Sequence, residues 1–451
     1  MIPFINRKII YPLYFSWNRD NRLQHCKRLE HTQWLSRDEI LFRQLEQFKH
    51  LIKYAYNNSK FYKNLYSKES IYSEDIQSFD DIKKLPVICK NDLQNHIEEM
   101  FSTSFPKSQR YENSSGGSTG RPTVFYGDKK SLPKLFGAYI RSDKWTGWNI
   151  GEKSIYLWGA DRDINMVHAY KEKIVQALVY RAKILNAFDI KEKDMELFSE
   201  ILIKERPSLI VAYSSVAVKF ASFIRDKDIK GIKPKGVICS AETLTQKDRN
   251  LIEGVFHCKV QNRYGSREVG LIAAECEKQE GLHINAENLL VEFHPINDEK
   301  EDGEVIITDF NNYAMPLIRY NMGDISGPIT KNCSCGRGLP LMSPVTGRTS
   351  DFISHPEGHL IHGEYFSHLF YGMRGIKQFQ VIQDSLSELK VKIVSDDLTS
   401  DMEKSIKQKV REIMGDNVKT IIQEVDSIPI LSSGKYRFVI SNIKIENKSN
   451  S

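Results

Sequence analysis

The 451-residue sequence has no run of about 18–20 consecutive apolar residues, which excludes a conventional membrane-spanning helix. It also has no dominant charge, because 64 Lys and Arg residues are interspersed with 58 Asp and Glu residues. That balance does not indicate a nucleic-acid partner, which usually meets a clustered basic face. Cysteine is scarce, with 7 irregularly spaced residues, so a secreted disulfide framework is not indicated. A reducing, cytoplasmic location fits this cysteine usage better.

Residues 1–17 are partly apolar but do not resemble a signal peptide. Arg7 and Lys8 interrupt the apolar stretch, and no small-residue cleavage site follows it. Two interpretations remain open for the apolar side chains of this segment, peripheral contact with a membrane or packing against the protein's own core. We expect core packing for Ile9, Ile10, Tyr11, Leu13, Tyr14 and Phe15.

The two best-known phosphate-binding patterns, G-x-x-x-x-G-K-[ST] and G-x-G-x-x-G, are absent. In their place the segment 114–122 combines hydroxyl side chains, three glycines and one arginine, and ends in proline. Free backbone N–H groups in such a loop form an anion-binding concavity, and the guanidinium adds a permanent charge. The loop suits a polyphosphate, although a flexible surface loop has the same composition. The candidate phosphate ligands are Ser115, Gly116, Gly117, Ser118, Thr119, Gly120 and Arg121.

The length favours two or more domains. Residues 1–105 are predicted to be helical, with a capping box at Ser36–Glu39 and Asn91 as the cap of a second helix ending at Met100. From residue 150, short apolar strands, the first at Ser154–Trp158, alternate with helices such as Gln246–Phe256, which predicts a parallel α/β sheet. Ligands bind such sheets outside the carboxyl ends of the strands. We predict an α/β fold with a domain 1–347, of which 106–347 is the core, and a smaller α/β domain 348–451.

Two segments follow predicted strands and carry candidate ligands. Ser240, Ala241 and Glu242 could receive a flat purine, although a helix N-cap has the same pattern. The second segment is Asn262-Arg263-Tyr264-Gly265-Ser266-Arg267-Glu268. Its tyrosine offers a stacking face, its glycine permits close approach, and Glu268 could hold Mg²⁺ or form a surface salt bridge.

Three later segments add polar side chains near turns or a domain boundary. Asp324 follows a glycine and could accept both hydroxyls of a ribose, and Arg319 just before it could support the phosphate region or a neighbouring loop. Arg348 lies at the predicted boundary, within a run of small residues that suits a hinge. Lys435 lies on a glycine-containing turn near the end of the sequence.

In this order, the segments resemble the conserved sequence motifs of the adenylate-forming enzymes. The resemblance is strongest to the phenylacetate–CoA ligase branch, which includes relatives from capsular polysaccharide gene clusters. The resemblance implies phosphate binding at 115–121, adenine binding at 240–242 and nucleotide binding at 262–266. It further implies Mg²⁺ at Glu268, ribose at Asp324 and Arg348, and a catalytic role for Lys435 between carboxylate and α-phosphate. The family loop commonly ends in lysine, where this chain has Arg121.

The resemblance also implies an activity. A carboxylic acid would react with MgATP to give an acyl-adenylate and pyrophosphate, and rotation of the C-terminal domain would allow transfer to coenzyme A. Transfer to a sugar or carrier in surface polysaccharide synthesis, or nucleotide binding without turnover, are the alternatives. A P-loop kinase is disfavoured because the lysine spacing is absent. A homodimer is left open.

Cys276, His283, Cys333 and Cys335 form a separate group. Three thiolates and one imidazole suit a tetrahedral structural zinc ion, although their spacing is not that of a standard zinc finger. The resembled branch has Cys and His at similar positions, which favours zinc over inert buried cysteines. His257 and Cys258 are alternative ligands.

Overall fold

The structure is a computed structural model, and it describes residues 2–114, 124–158, 174–187, 191–295, 302–348, 352–357, 360–362, 366, 370, 376–395, 397–428 and 439–443. The predicted phosphate-loop residues 115–121, the hinge residues 349–351 and Lys435 lie outside the described residues. The chain divides into two compact units. One comprises Met1–His294, Val305–Met322 and Ser326–Val345, and the other Pro295–Glu304, Gly323–Ile325 and Thr346–Ser451.

The first unit begins with helices, as the sequence predicts. Their bounds are α1 Ile2–Ile5, α2 Tyr11–Trp17, α3 Arg22–Thr32, α4 Arg37–Asn58, α5 Lys60–Lys68, α6 Phe79–Lys83 and α7 Lys90–Met100, with a π-helical turn at Asn6–Ile10. The capping box before α4 is confirmed, because Ser36 and Glu39 exchange side-chain and backbone hydrogen bonds. The predicted cap Asn91 is wrong. Cys89 precedes α7, and its backbone N–H donates to Asp92 Oδ2 at 2.7 Å.

The predicted parallel sheet is present and has nine strands. They are β3 Ser154–Trp158, β4 Ala182–Asn186, β5 Leu209–Tyr213, β6 Gly236–Ser240, β7 Lys259–Ser266, β8 Gly270–Glu275, β9 Leu282–Ile284, β13 Pro328–Ile329 and β14 Leu341–Met342. Their order in the sheet is β4-β3-β5-β6-β7-β8-β9-β14-β13. The first five are mutually parallel, and the last four pair antiparallel.

Helices cover this sheet and bury its apolar side chains. They are α8 Leu132–Lys144, α9 Glu192–Glu205, α10 Ser214–Asp226 and α11 Gln246–Phe256. Leu202, Phe220 and Phe256 of these helices pack with Ile155 and Val237 of the strands. Parallel strands buried by helices place their carboxyl ends along one edge, where loops are free to hold a ligand.

A two-stranded hairpin of β1 Arg110–Ser114 and β2 Val124–Asp128 flanks the predicted phosphate loop. Tyr111 lies opposite Gly127, and its ring covers the glycine so closely that an added Cβ would lie 2.2 Å from Tyr111 Cζ. Glycine at this position therefore leaves the space that the tyrosine ring occupies.

The remaining strands are β10 Leu289–Pro295, β11 Gly303–Asp309, β12 Tyr320–Ser326 and β15 Gly347–Arg348, which form a sheet in that order. In the second unit, a hairpin of β16 Phe352–Ser354 and β17 Leu360–His362 accompanies a sheet in the order β20-β19-β18-β21. The strands of this sheet are β18 Ile376–Ser385, β19 Glu388–Ser395, β20 Lys419–Glu424 and β21 Val439–Ser441, and the same unit contains helix α12 Ser400–Met414. None of the helices in the described part of the chain has the length and apolar character needed to cross a membrane.

Candidate functional site

Two of the predicted ligand segments lie side by side at the carboxyl edge of the parallel sheet. Strands β6 and β7 pair in parallel, and Ser240 is the register partner of Arg263. The Ser240 hydroxyl donates to the backbone carbonyl of Arg263 at 3.1 Å. The loop that follows Ser240 and the last residues of β7, Tyr264–Ser266, therefore lie on adjacent strands at the carboxyl edge, which is the place where open α/β sheets hold ligands.

Glu242 ties this edge to the neighbouring loop. Its carboxylate accepts a hydrogen bond from the backbone N–H of Ser215 at 2.8 Å, and its carbonyl accepts one from the Ser214 hydroxyl at 3.1 Å. Ala241 adopts a left-handed conformation with φ +68°. The segment 240–242 is not the N-cap of the next helix, because Thr245 fills that position for α11. Glu242 instead places a negative charge at the N-terminus of α10, where it is stabilising.

The side chain of Arg263 is buried and forms an ion pair with Asp143 of α8. Burial raises the pKa of Asp143, and the adjacent guanidinium opposes that rise. Asn262 is also buried, and its backbone N–H donates to Glu275 Oε2 at 2.8 Å. These two residues anchor the strand, while Tyr264, Gly265 and Ser266 are half-buried at its end.

Glu268 lies in the turn between β7 and β8 and is half-buried. It lines a cleft together with Tyr111 of the hairpin and Asp309 at the end of β11. Four carboxamides complete the polar part of the lining, Asn285, Asn288, Asn311 and Asn312. The carboxamide oxygens already accept hydrogen bonds, that of Asn311 from Lys134 Nζ at 2.8 Å, that of Asn312 from the Met315 backbone N–H, and those of Asn285 and Asn288 from neighbouring amides. This network shapes the cleft beside Glu268, the residue predicted to hold Mg²⁺. Sequence patterns missed this set, because its members come from two strands, β1 and β11, and from three turns that are far apart in the sequence.

Asp309 is the most strongly perturbed acid of the cleft. Burial raises its pKa to about 7, while the backbone N–H of Asn311, at 2.9 Å from Oδ1, and the nearby Lys134 oppose the rise. Burial also raises the pKa of Tyr111 to about 12. A carboxyl that holds its proton near neutral pH can donate a hydrogen bond in the cleft.

The raised pKa of Asp309 makes the free energy of unfolding depend on pH. Its pKa is higher in the folded state, so the unfolded chain loses the proton first, and stability falls as pH rises from about 4 to about 7. Asp309→Asn removes this loss and is expected to raise the free energy of unfolding at pH 8 by about 4 kcal/mol relative to the wild type. The gain should be smaller at pH 5. Denaturant unfolding at the two pH values measures it, and an equal difference at both would contradict the assignment.

Arg319 supports a neighbouring loop. Its side chain is buried, its Nε and Nη2 lie 3.1 Å from the two carboxylate oxygens of Glu292, and Nη1 donates to the carbonyls of Lys83 (2.9 Å) and Leu85. Arg319 itself adopts a left-handed conformation with φ +51°. The guanidinium therefore joins β10 to the segment that follows α6.

Arg319→Ala is expected to destabilise the protein by about 3–5 kcal/mol, because it leaves the Glu292 carboxylate buried without its partner. Arg43→Ala, which removes an exposed arginine from α4, is the matched control and should change stability by less than about 0.5 kcal/mol. Thermal and denaturant unfolding of both variants measure the difference. Equal stability of the two variants would show that the buried pair contributes nothing.

Asp324 and Arg348, separated by 24 positions in the sequence, are register partners in the antiparallel pair β12 and β15. Asp324 is buried. The pairing places the two positions to which the resemblance assigns the ribose directly opposite each other in the second unit.

The predicted zinc ligands come together. The ligand atoms of Cys276, His283, Cys333 and Cys335 all lie within 4.8 Å of one another. Cys276 Sγ is 3.6 Å from Cys333 Sγ, and Cys335 Sγ is 3.4 Å from His283 Nε2. Tetrahedral zinc with Zn–S bonds of about 2.3 Å would place two sulfurs about 3.8 Å apart, so the donor set fits the ion.

The surroundings of the cluster also suit thiolates. The backbone N–H groups of Lys278 and Arg337 point at Cys276 Sγ and Cys335 Sγ, each at 3.4 Å. Burial lowers the pKa of His283 to about 4, so its imidazole is neutral at pH 7. The alternative ligands His257 and Cys258 are not members of this group. All seven cysteines are free thiols in the structure.

Comparison with known proteins identifies relatives of the chain and solved structures with the same fold. Residues 353–442 match the family model described as the CapK C-terminal domain. The chain is 24% identical over 381 residues to protein CapK of Staphylococcus aureus, covering 81% of each protein. It is 26% identical over 294 residues to a phenylacetate-coenzyme A ligase of Thermus thermophilus, covering 61% of this chain and 63% of that ligase. A 2-hydroxyisobutyryl-CoA ligase in the postadenylation state superposes with a TM-score of 0.65 at 18% identity, covering 88% of this chain and 89% of that one. The recognition made from the motifs is thus confirmed, since the chain is a homologue of CapK and of phenylacetate–CoA ligases and has the fold of the adenylate-forming CoA ligases.

Proposed function

We propose that this protein is an adenylate-forming acid ligase that activates a carboxylic acid with ATP. One observation carries the proposal: Ser240 at the end of β6 pairs with Arg263 of β7, so the segments Ser240–Glu242 and Asn262–Glu268 lie on adjacent parallel strands at the carboxyl edge of the sheet. An open α/β sheet binds its ligands at this edge. The ligase relatives and the solved ligase fold support the same class of reaction.

In the proposed reaction, a carboxylate oxygen of the acid attacks the α-phosphorus of ATP, and pyrophosphate leaves with the displaced electron pair. The acyl-adenylate remains. Tyr264 would stack on the adenine, and Asp324 with Arg348 would hold the ribose. Lys435 would bridge the carboxylate and the α-phosphate, where a cation stabilises the charge that develops in the transition state.

The metal requirement follows from the polyphosphate. Glu268 would hold Mg²⁺, which supplies charge neutralisation at the phosphates. The glycine-rich segment 115–121 would hold the phosphates, with Arg121 in place of the lysine common in the family.

For the second half-reaction we propose coenzyme A as the acceptor, because the relatives include phenylacetate-coenzyme A ligases. The thiol sulfur would attack the acyl carbon and AMP would leave. Transfer to a sugar or carrier is the second candidate. The match to CapK covers 81% of each chain, more than the match to the Thermus ligase, so the acceptor of the ligases is not the sole candidate.

We further propose a catalytic domain 1–347 and a lid domain 348–451 that rotates between the half-reactions, in a cytoplasmic enzyme that could form a homodimer. The cluster of Cys276, His283, Cys333 and Cys335 is proposed to hold one structural zinc ion. Its role would be to stabilise the fold, since all four positions are occupied by protein ligands and none is left for substrate.

Pyrophosphate and AMP release from MgATP, measured across aryl, fatty, amino and sugar acids with and without coenzyme A, tests the proposal. Pyrophosphate release that depends on one acid establishes adenylation, and AMP release added by coenzyme A identifies the acceptor. AMP release only with a sugar or carrier supports the second candidate. Formation of ADP, or bound ATP with no turnover on any acid, would contradict the proposal, and intact activity of Lys435→Ala would contradict the lysine assignment.

A further inference from the structure

The N-terminal helical segment presents seven large apolar side chains to solvent. They form what we call the apolar strip, which consists of Ile2, Phe4, Ile5, Ile9, Ile10, Leu13 and Trp17. Trp17 is 89% exposed, and Ile2 and Leu13 are each 64% exposed. Single exposed apolar residues are ordinary on a protein surface, but a group of this size within one helical segment marks an interaction site.

The opposite face of the same segment packs against the protein core. The apolar strip is therefore not the face with which this segment joins the core. Tyr11 and Phe15 are buried in an apolar cluster, and Asn6 Nδ2 donates to the carbonyls of Leu178 (2.7 Å) and Val179 (3.1 Å). Gly151 lies so close below the helix that an added Cβ would be 2.3 Å from the carbonyl oxygen of Pro3. The expected core packing thus holds for Tyr11 and Phe15, and Tyr14 packs half-buried against the same cluster, whereas Ile9, Ile10 and Leu13 face solvent.

The packing of Tyr11 and Phe15 and the hydrogen bonds of Asn6 fix the orientation of the segment about its axis. In this orientation the apolar strip faces solvent. Leu178, at 62% exposure, lies beside the point where Asn6 anchors the helix and adds a further apolar side chain. The π-helical turn at Asn6–Ile10 lies in the middle of the strip. Such turns occur frequently at functional sites.

The charges of this part of the chain have one sign. Residues 2–28 contain six cations, Arg7, Lys8, Arg19, Arg22, Lys27 and Arg28, and a single acid, Asp20. That acid pairs with Arg22 at 2.6 Å. Lys8, Arg19, Lys27 and Arg28 are exposed. An apolar face that ends in tryptophan, on a segment with excess Lys and Arg, has the composition of a helix that lies in a membrane interface.

We propose that the apolar strip docks the protein on an anionic lipid surface, with α1, the π-helical turn and α2 lying in the plane of the interface. The apolar side chains would enter the boundary between headgroups and acyl chains, and the exposed cations would contact anionic headgroups. The contact is peripheral and reversible. It rests on the strip and its charge and is independent of the proposed ligase activity.

The full-length protein should bind vesicles that contain phosphatidylglycerol and bind pure phosphatidylcholine vesicles at least about tenfold more weakly. Ile9→Ser, Leu13→Ser and Trp17→Ser combined should reduce binding by about tenfold or more. The matched control combines Phe42→Ser, Leu197→Ser and Ile203→Ser, which removes three exposed apolar side chains elsewhere in the first unit and should leave binding unchanged. Thermal unfolding checks that both triple variants are folded.

Tryptophan fluorescence gives a second readout. Trp17 should shift to shorter wavelength on contact with anionic vesicles, and the shift should be missing in Trp17→Phe, which keeps an apolar side chain and still binds. No vesicle binding by the wild-type protein, or equal binding by the two triple variants, would overturn the proposal. So would a wild-type dimer in sedimentation without lipid that the strip variant alone converts to monomer, because the occupant would then be a second copy of the chain.

Discussion

Glu268→Gln is expected to lower acid-dependent pyrophosphate release by about 10²–10³-fold, the range seen when one group that stabilises transition-state charge is removed. The substitution keeps the size and the hydrogen-bonding carbonyl of the side chain but removes its charge. Glu268 lies in a turn and is only half-buried, so the variant should fold normally.

Magnesium dependence separates a metal ligand from a structural residue. The variant should need a higher Mg²⁺ concentration for half-maximal activity, because one anionic ligand is missing. Glu196→Gln, an exposed position on α9 in the same unit, makes the same change of charge and should behave as the wild-type protein does. An unchanged rate and unchanged Mg²⁺ dependence in Glu268→Gln would contradict a metal-binding role and would favour the alternative interpretation of Glu268 as a surface salt-bridge residue.

Cys333→Ser is expected to remove bound zinc and to lower the melting temperature by about 10 °C or more. Loss of a thiolate ligand takes away metal-binding free energy that is also folding free energy. Because Cys333 lies 3.6 Å from Cys276, its removal also leaves the remaining donors without a tetrahedral arrangement. A strong chelator added to the wild-type protein should have the same effect.

Cys258→Ser provides the matched control, because Cys258 is a half-buried free thiol outside the cluster. It should keep its zinc, measured by elemental analysis, and lose much less thermal stability. Wild-type protein purified with zinc present but free of metal, together with equal melting temperatures of the two variants, would show that the cluster is a group of inert cysteines.

Local elements were predictable because their signals are local. The capping box at Ser36–Glu39 and helix Gln246–Phe256 depend on residues a few positions apart, and both are confirmed. Strand Ser154–Trp158 follows from a short apolar run, and it too is confirmed. The cap of α7 failed because Cys89, a weak hydrogen-bonding side chain, takes the position before the helix, and the side chain of Asp92 binds its backbone.

Contacts between distant segments were not predictable in the same way. Arg263 was expected in the nucleotide site. Its buried partner Asp143 lies 120 positions earlier, and no local sequence pattern predicts this ion pair. The cleft beside Glu268 likewise depends on Asp309 and on carboxamides from separate turns. The cysteine cluster was accessible because Cys and His are rare and chemically selective, so their type signals a site before any contact is known.

The position of the cysteine cluster in the chain has a consequence for the unfolded state. Cys276 and Cys333 are 57 positions apart, and the segment between them contains β10, β11 and β12. A metal ion that joins these cysteines would close a loop of that length, which in the chain-entropy account of cross-links is worth about 4 kcal/mol. The segment that contains the strands of Asp309 and Asp324 would therefore have fewer accessible conformations when it unfolds. Metal removal should speed amide hydrogen exchange chiefly within residues 276–333, while the parallel strands β3–β6 stay protected.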